Sequence, residues 1–265
     1  MAAQRLRDAG IDAPEDEARK LARLAVPKRY VDYEKAIAGE GLARFNDAVA
    51  RRCAREPFSH ISGQRYFWKG AFRVTADVLD PRPETETLVE LALQEPFTKV
   101  LDLGTGSGCI IISLLSERLE AHGVGTDISE RAILIAGENA YRNEVAERLV
   151  LPVSDWFEDV GGRYDLIVSN PPYIALDEMD GLDPEVRDYE PREALTDEAD
   201  GLSAYRIIAR HAPDHLKPCG RVLVEIGPTQ APAVTDLFCD AGLEDVRLHP
   251  DLDGRDRVVS ARAAR

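Results

Sequence analysis

Apolar residues in the first 58 positions recur at helical spacing: Leu6, the run from Ala18 to Val26, Ile37 with Leu42, then Phe45, Val49 and Cys53. That period predicts a small helical region. Its breaks fall at Gly10, Pro27 and Gly39–Gly41, and Glu56-Pro57 ends the last helix. From Ser59 to Leu79 the pattern turns extended and aromatic, through His60-Ile61-Ser62-Gly63, Tyr66-Phe67-Trp68 and Phe72-Arg73-Val74. Gly70 marks the turn of a hairpin. Pro81-Arg82-Pro83-Glu84-Thr85-Glu86 then sets proline and acids before the apolar residues Leu88, Val89, Leu91, Ala92 and Leu93, a good helix start.

Beyond Lys99 strand and helix patterns alternate. Strands are predicted at 99–103, 122–127, 148–153, 164–169, 221–227, 244–249 and 257–263, and helices at about 108–119, 130–142, 202–216 and 229–241. This alternation implies an α/β sandwich on a mostly parallel sheet. Only Pro250 to Asp256 joins the last two strands, so they pair as a hairpin and give the sheet an antiparallel C-terminal edge. The domains expected are a helical one over 1–58, a β-hairpin linker over 59–80 and an α/β domain over 81–265.

Composition adds bounds. The 265 residues suffice for one large and one small domain, with 44% hydrophobic and 31% charged residues as in ordinary globular chains. The longest apolar run, Cys109 to Leu115, is far too short for a bilayer. No signal-peptide pattern opens the chain, and the four cysteines are scattered, so a reduced, cytoplasmic setting is expected. His211 and His215 have the spacing of a zinc pair, but no third ligand is near, so no metal is expected. The net charge of −15 disfavours a surface that tracks phosphates, and no direct nucleic-acid binding is expected. Eleven acids crowd between Asp177 and Asp200 against Arg187 and Arg192, either as a solvated loop or as a rim for a basic partner.

The chemistry gathers at strand ends. The strand Tyr164 to Ser169 runs into Asn170-Pro171-Pro172-Tyr173, where two prolines stop the ladder in a stiff turn. A carboxamide, unpaired carbonyls and an aromatic ring there suit something planar that carries N–H groups. Leu103-Gly104-Thr105-Gly106-Ser107-Gly108 follows another strand as a glycine-rich turn, one residue short of the dinucleotide fingerprint and without the lysine of a P-loop. Asp127 ends the next strand 23 residues after Gly104, placed to accept both hydroxyls of a ribose. Asp155-Trp156 ends the third and suits an adenine, the carboxylate taking its amine and the ring its face. Each has a plainer reading: Asp127 as a helix cap, Asp155 as a surface acid, Trp156 as core.

Together these residues resemble a class I methyltransferase that binds S-adenosylmethionine (SAM), and more closely the release factor glutamine methyltransferases of the HemK/PrmC type. The matching stretches are Glu56-Pro57, His60–Gly63, Pro81–Glu86, Leu101–Gly108, Ser154–Phe157 and Val168–Ile174, and the similarity runs from about residue 50 to Asp256-Arg257-Val258. The resemblance implies a Rossmann-like fold and transfer of a methyl from SAM to the side-chain amide of a glutamine, in the GGQ loop of class 1 peptide chain release factors. It implies that Gly104, Thr105, Gly106, Ser107, Gly108, Asp127, Asp155, Trp156 and Asn170 bind the cofactor, and that Asn170, Pro171, Pro172 and Tyr173 hold the substrate. Arg82 and Glu86 either order the site or form a structural ion pair. Asn-Pro-Pro-Tyr serves an exocyclic amine equally well, so N6-adenine methylation of DNA or RNA is the alternative. A non-catalytic adapter is a further one, disfavoured by the intact glycines and Asn170.

Overall fold

The computed structural model describes residues 1–26 and 40–265; the breaks expected at Pro27 and Gly39, and Ile37, lie outside the described residues. The chain divides into two compact units, Met1–Gly63 with Asp183–Tyr189, and Gln64–Leu182 with Glu190–Arg265.

The first unit is helical: α1 (Ala2–Asp8), α2 (Pro14–Ala25), α3 (Glu40–Cys53) and α4 (Phe58–Ser62). Leu6, Ile11, Leu21, Ala48 and Val49 form its core, at the period the sequence set. His60-Ile61-Ser62, expected to be extended, lies in α4. Pro57 starts that helix, its fixed φ suiting the position before a first turn, and Gly63 ends it at φ +68. Residues 183–189 join this unit through ion pairs. Glu185 meets Arg52 at 3.1 Å and Arg55 at 2.6 Å, and the Tyr189 hydroxyl donates to the Ala54 carbonyl at 2.6 Å.

The second unit begins with the hairpin β1 (Gln64–Phe67) and β2 (Gly70–Arg73), so the expected linker 59–80 is divided. A 3-10 turn (Pro83–Thr85) leads into α5 (Glu86–Leu93). Then come β3 (Lys99–Leu103), α6 (Cys109–Glu117), β4 (His122–Thr126), α7 (Glu130–Arg142), β5 (Leu149–Val150) and β6 (Tyr164–Ser169). The chain ends with α9 (Ser203–His215), β7 (Leu216–Glu225), α10 (Ala231–Asp240), β8 (Glu244–Pro250) and β9 (Asp256–Arg262), a short α8 (Pro184–Arg187) falling in the helical unit. The sheet order is β5-β4-β3-β6-β7-β9-β8; β9 runs antiparallel to both neighbours, which is the edge hairpin expected.

The strand expected at 148–153 shortens to two residues. Pro152 has no N–H for the ladder, and only an Asp127–Val153 bridge resumes the pairing. β7 starts five residues earlier than expected, pairing Leu216 with Tyr164 before a bulge. Side chains alternate across the sheet. Val100, Leu166, Val168 and Leu223 pack with α5 and α6, while Leu101, Leu103, Ile167, Val222 and Val224 pack with α9 and α10. Both faces are therefore covered, and the strands' carboxyl ends are where a site can form.

Candidate active site

Those carboxyl ends surround a cavity of about 520 Å³. Its walls carry Gly104, Gly106, Asp127, Trp156, Asn170 and Arg82, among others. Open parallel sheets bind ligands at this edge because loops of successive strands diverge there. Thr105, Ser107, Asp155 and Pro172 also face it, so most of the residues predicted from the four strand ends meet in one place. Gly108, Pro171 and Tyr173 do not line it.

The glycines divide into two kinds. Gly104 and Gly106 hold φ of +65° and +55°, and a Cβ on either would project into open space, the cradle a ligand would fill. Gly108, at φ +79°, would place its Cβ 2.7 Å from Ile112 Cδ1 and 3.3 Å from the Ala136 Cβ. Its smallness serves the packing of α6 on α7. The turn is fixed from below by Asp102, fully buried within β3. The Thr105 hydroxyl donates to its Oδ2 at 2.7 Å, and Oδ1 has no partner. Burial pushes this carboxyl up to about 7 against the pull of the Thr105 hydrogen bond.

Asp127 is held by the same loop it helps to shape. Its Oδ2 accepts the Gly106 N–H at 2.9 Å and its Oδ1 the Ser129 N–H at 3.0 Å. Ser129, not Asp127, caps α7, its hydroxyl accepting from the Ala132 N–H. Burial raises the Asp127 carboxyl while these backbone donors oppose it. Each oxygen keeps a further lone pair for a ribose hydroxyl. Asp155 is exposed at the cavity mouth; Trp156 adopts φ +49°, a left-handed conformation uncommon for a bulky residue, and presents its ring to both cavity and core.

Asn170 follows β6. Its Nδ2 donates to the Thr85 hydroxyl at 3.3 Å, leaving Oδ1 buried with no partner. A buried carboxamide oxygen without a donor is costly to leave unpaired. Tyr173, partly buried, packs against the α9–α10 side of the core, and burial pushes its hydroxyl up to about 12. Its main-chain carbonyl accepts from Gln230 Nε2 at 2.8 Å, and the same amide group donates to the Gly201 carbonyl at 3.0 Å. The turn is thereby held rigid from outside the cavity.

Arg82 pairs with Glu190 at 2.6 Å, whereas Glu86 accepts the Trp68 N–H, so the two do not pair with each other. Other acids of the 177–200 run are engaged internally: Glu198 with Arg192, Asp200 with Arg206, and Asp197 with the N–H groups of Ala199, Gly201 and Ser203. His211 and His215 both pack their rings on Phe157. Among the described residues no group of three His, Cys, Asp or Glu could hold a metal, and no helix is long and apolar enough to cross a membrane.

Several contributors were not anticipated. Asp102 was readable as an acid inside an apolar strand. Asn139, fully buried, accepts the Arg73 N–H at 2.6 Å and donates to the Ser107 carbonyl at 2.8 Å, joining hairpin to glycine turn. Thr85 and Glu225 come to Asn170 from distant stretches, with no local signal.

Known proteins resemble this chain throughout. Residues 1–63 match the family described as PrmC N-terminal domain, and residues 75–181 the Methyltransferase small domain. A release factor glutamine methyltransferase of Cereibacter sphaeroides is 55% identical, covering 98% of this chain and 95% of its own. One from Caulobacter vibrioides is 43% identical, covering 97% and 92%. Among solved structures, a methyltransferase from Pyrococcus furiosus superposes with a TM-score of 0.55 at 17% identity, over 83% of this chain and 98% of that one. That likeness is one of fold, and with the observed sheet order it gives the class I methyltransferase architecture the sequence resembled.

Proposed function

The chain belongs to the release factor glutamine methyltransferases, and on that footing we propose that it transfers a methyl group from SAM to the side-chain amide nitrogen of the GGQ-loop glutamine in class 1 peptide chain release factors. The observation that carries the reading is Asn170: its nitrogen is committed to Thr85, and its buried oxygen faces the need of an incoming N–H.

The cavity fits SAM by its chemistry. Gly104 and Gly106 leave the space a Cβ would take, Asp127 offers acceptors for a ribose, and Asp155 with Trp156 suits an adenine. When bound, SAM supplies an electrophilic methyl carried on sulfur.

The chain's own work is to position the nucleophile. An amide nitrogen is a weak one because its lone pair is shared with the carbonyl, and no side chain is basic enough at neutral pH to deprotonate it first. Asn170 Oδ1 would accept one N–H of the substrate amide and the Pro171 carbonyl the other. Together they turn the nitrogen's lone pair away from these acceptors and towards the cofactor side. Correct positioning of this kind supplies a large part of the acceleration. Two acceptors also favour the nitrogen as it becomes cationic, before its proton is lost. Pro172 shapes the wall, and Tyr173 anchors the turn through its partly buried ring and its held carbonyl.

The helical unit is the proposed docking domain for the release factor, and the setting proposed is cytoplasmic. Incubation of the purified chain with SAM and a class 1 release factor, followed by peptide mass spectrometry, tests the reading. One added methyl on the GGQ glutamine supports it. Labelled methyl on DNA or RNA and none on release factor would replace it with the adenine alternative.

A further inference from the structure

One side chain outside the cavity ties two of its walls together. Gln230 stands at the start of α10 and does not line the cavity. Its Oε1 accepts the Gly227 N–H at 3.0 Å, and its Nε2 donates to the Tyr173 carbonyl at 2.8 Å and to the Gly201 carbonyl at 3.0 Å. These partners come from the loop after β7, the turn after β6 and the loop before α9. Asn170 and Pro172 of that turn line the cavity, and so do Thr196, Asp197 and Ser203 on either side of Gly201.

The amide is satisfied in one orientation only. A carboxamide carries two N–H donors on one arm and an acceptor on the other. Turned over, it would set its oxygen against two carbonyls and its NH2 against the Gly227 N–H. The main chain comes this close because glycine stands at two of the contacts. A Cβ on Gly201, which holds φ +72°, would run into the Tyr173 oxygen and lie 2.9 Å from Gln230 Nε2. One on Gly227 would lie 3.1 Å from Gln230 Oε1 and 3.2 Å from Tyr173 Cδ2. The wall around Gly201 is itself braced. Asp197 accepts the N–H groups of Ala199, Gly201 and Ser203, and the chain leaving the turn pairs with it, Ile174 N–H to the Leu195 carbonyl at 3.0 Å and Leu176 N–H to the Ala199 carbonyl at 2.9 Å.

We infer that Gln230 is a positioning residue for methyl transfer, clamping the Asn170–Tyr173 turn to the wall around Gly201 and so fixing the separation of two walls of the cavity in which the glutamine reacts. This rests on the release-factor reading above and deepens it. Gln230 acts only through the main chain it holds. A displacement of about 1 Å at a reacting centre can cost about 100-fold in rate. The glycine turn and Asp127 are held by hydrogen bonds of their own, so the cofactor side should not feel the loss.

The test uses the full chain, SAM and a purified class 1 release factor in single-turnover methylation, with calorimetric SAM titration and thermal denaturation alongside. Gln230→Met keeps the length of the side chain and loses its three hydrogen bonds. It should lower the rate constant for transfer about 10–100-fold. The SAM Kd and the release-factor concentration giving half the maximal rate should each stay within about threefold of wild type, the signature of an interaction that matters in the transition state. Gln230→Glu, which turns lone pairs towards both carbonyls, should be at least as slow. A merely structural role would lower Tm and the reacting fraction while the folded protein kept the wild-type rate constant, and that result would overturn the inference. So would a loss confined to SAM affinity. If the Gln230 variants fail to fold, Gly227→Ala decides, since it shifts its neighbours by a few tenths of an ångström and keeps the amide. Slower transfer at unchanged SAM affinity then upholds the inference, and wild-type transfer overturns it. Wild-type chain that binds SAM but methylates no release factor would instead strike down the underlying reading, and this inference with it.

Discussion

The Gly106 N–H donates to Asp127 Oδ2 at 2.9 Å, so one carboxylate both closes the glycine turn and faces the cavity. Removing it exacts two costs, a loosened turn and the loss of charged acceptors. Asp127→Ala is expected to weaken SAM binding by about 10–100-fold, the range for hydrogen bonds to a charged group. Calorimetric titration checks this; a Kd within twofold of wild type would remove Asp127 from the cofactor site.

The two kinds of glycine should separate in their effects. Gly108→Ala forces a Cβ to 2.7 Å from Ile112 in a left-handed backbone and is expected to cost about 2–4 kcal/mol. That corresponds to a Tm about 5–15 °C lower for a chain of this size, with SAM affinity kept in the protein that remains folded. Gly106→Ala meets open space and should cost only about 1 kcal/mol in stability, yet its methyl enters the cradle and should reduce SAM affinity by at least about tenfold. Thermal denaturation with and without SAM reads both. The reverse assignment would place the cofactor elsewhere on the turn.

Asp165 gives a stability signature at acid pH. Burial alone would raise its carboxyl, but the Lys217 ammonium at 2.7 Å and the hydrogen bonds from Thr98 and Lys99 outweigh that and hold it at about 2. The unfolded value is about 3.9. The stabilisation is therefore complete above about pH 4 and is lost as pH falls towards 2, amounting to about 1–2 kcal/mol after allowance for partial exposure. Urea midpoints of wild type and Asp165→Asn should differ at pH 5 and converge as the pH approaches about 2. A constant difference across that range would mean the carboxylate charge is not what stabilises the strand.

These residues also show where local sequence was informative. The helix expected over 130–142 matches the observed span to the residue, although its cap is Ser129 and not the Asp127 that the sequence offered. The ends of β3 and β6 were legible because Gly104 and Asn170-Pro171 follow their apolar runs. Register across long separations was not. Asn170 and Glu225 lie side by side only because β6 and β7 pair as they do, and Thr85 reaches Asn170 from 85 positions away. Glu185 likewise joins the helical unit through Arg52 and Arg55, partners more than a hundred positions away. Tyr173 was legible as part of the turn but not as a side chain packed against the core, since the same four letters serve either orientation.

The account turns on one oxygen atom. Asn170→Ala removes Oδ1 while leaving the glycine turn, Asp127 and Trp156 in place. Transfer to the release-factor glutamine is expected to fall by at least about 100-fold, the scale of losing one preorganised group at a reacting centre, with SAM affinity within an order of magnitude of wild type. Single-turnover methylation measured with saturating SAM and release factor gives the answer directly. Near wild-type transfer by that variant would contradict the central claim.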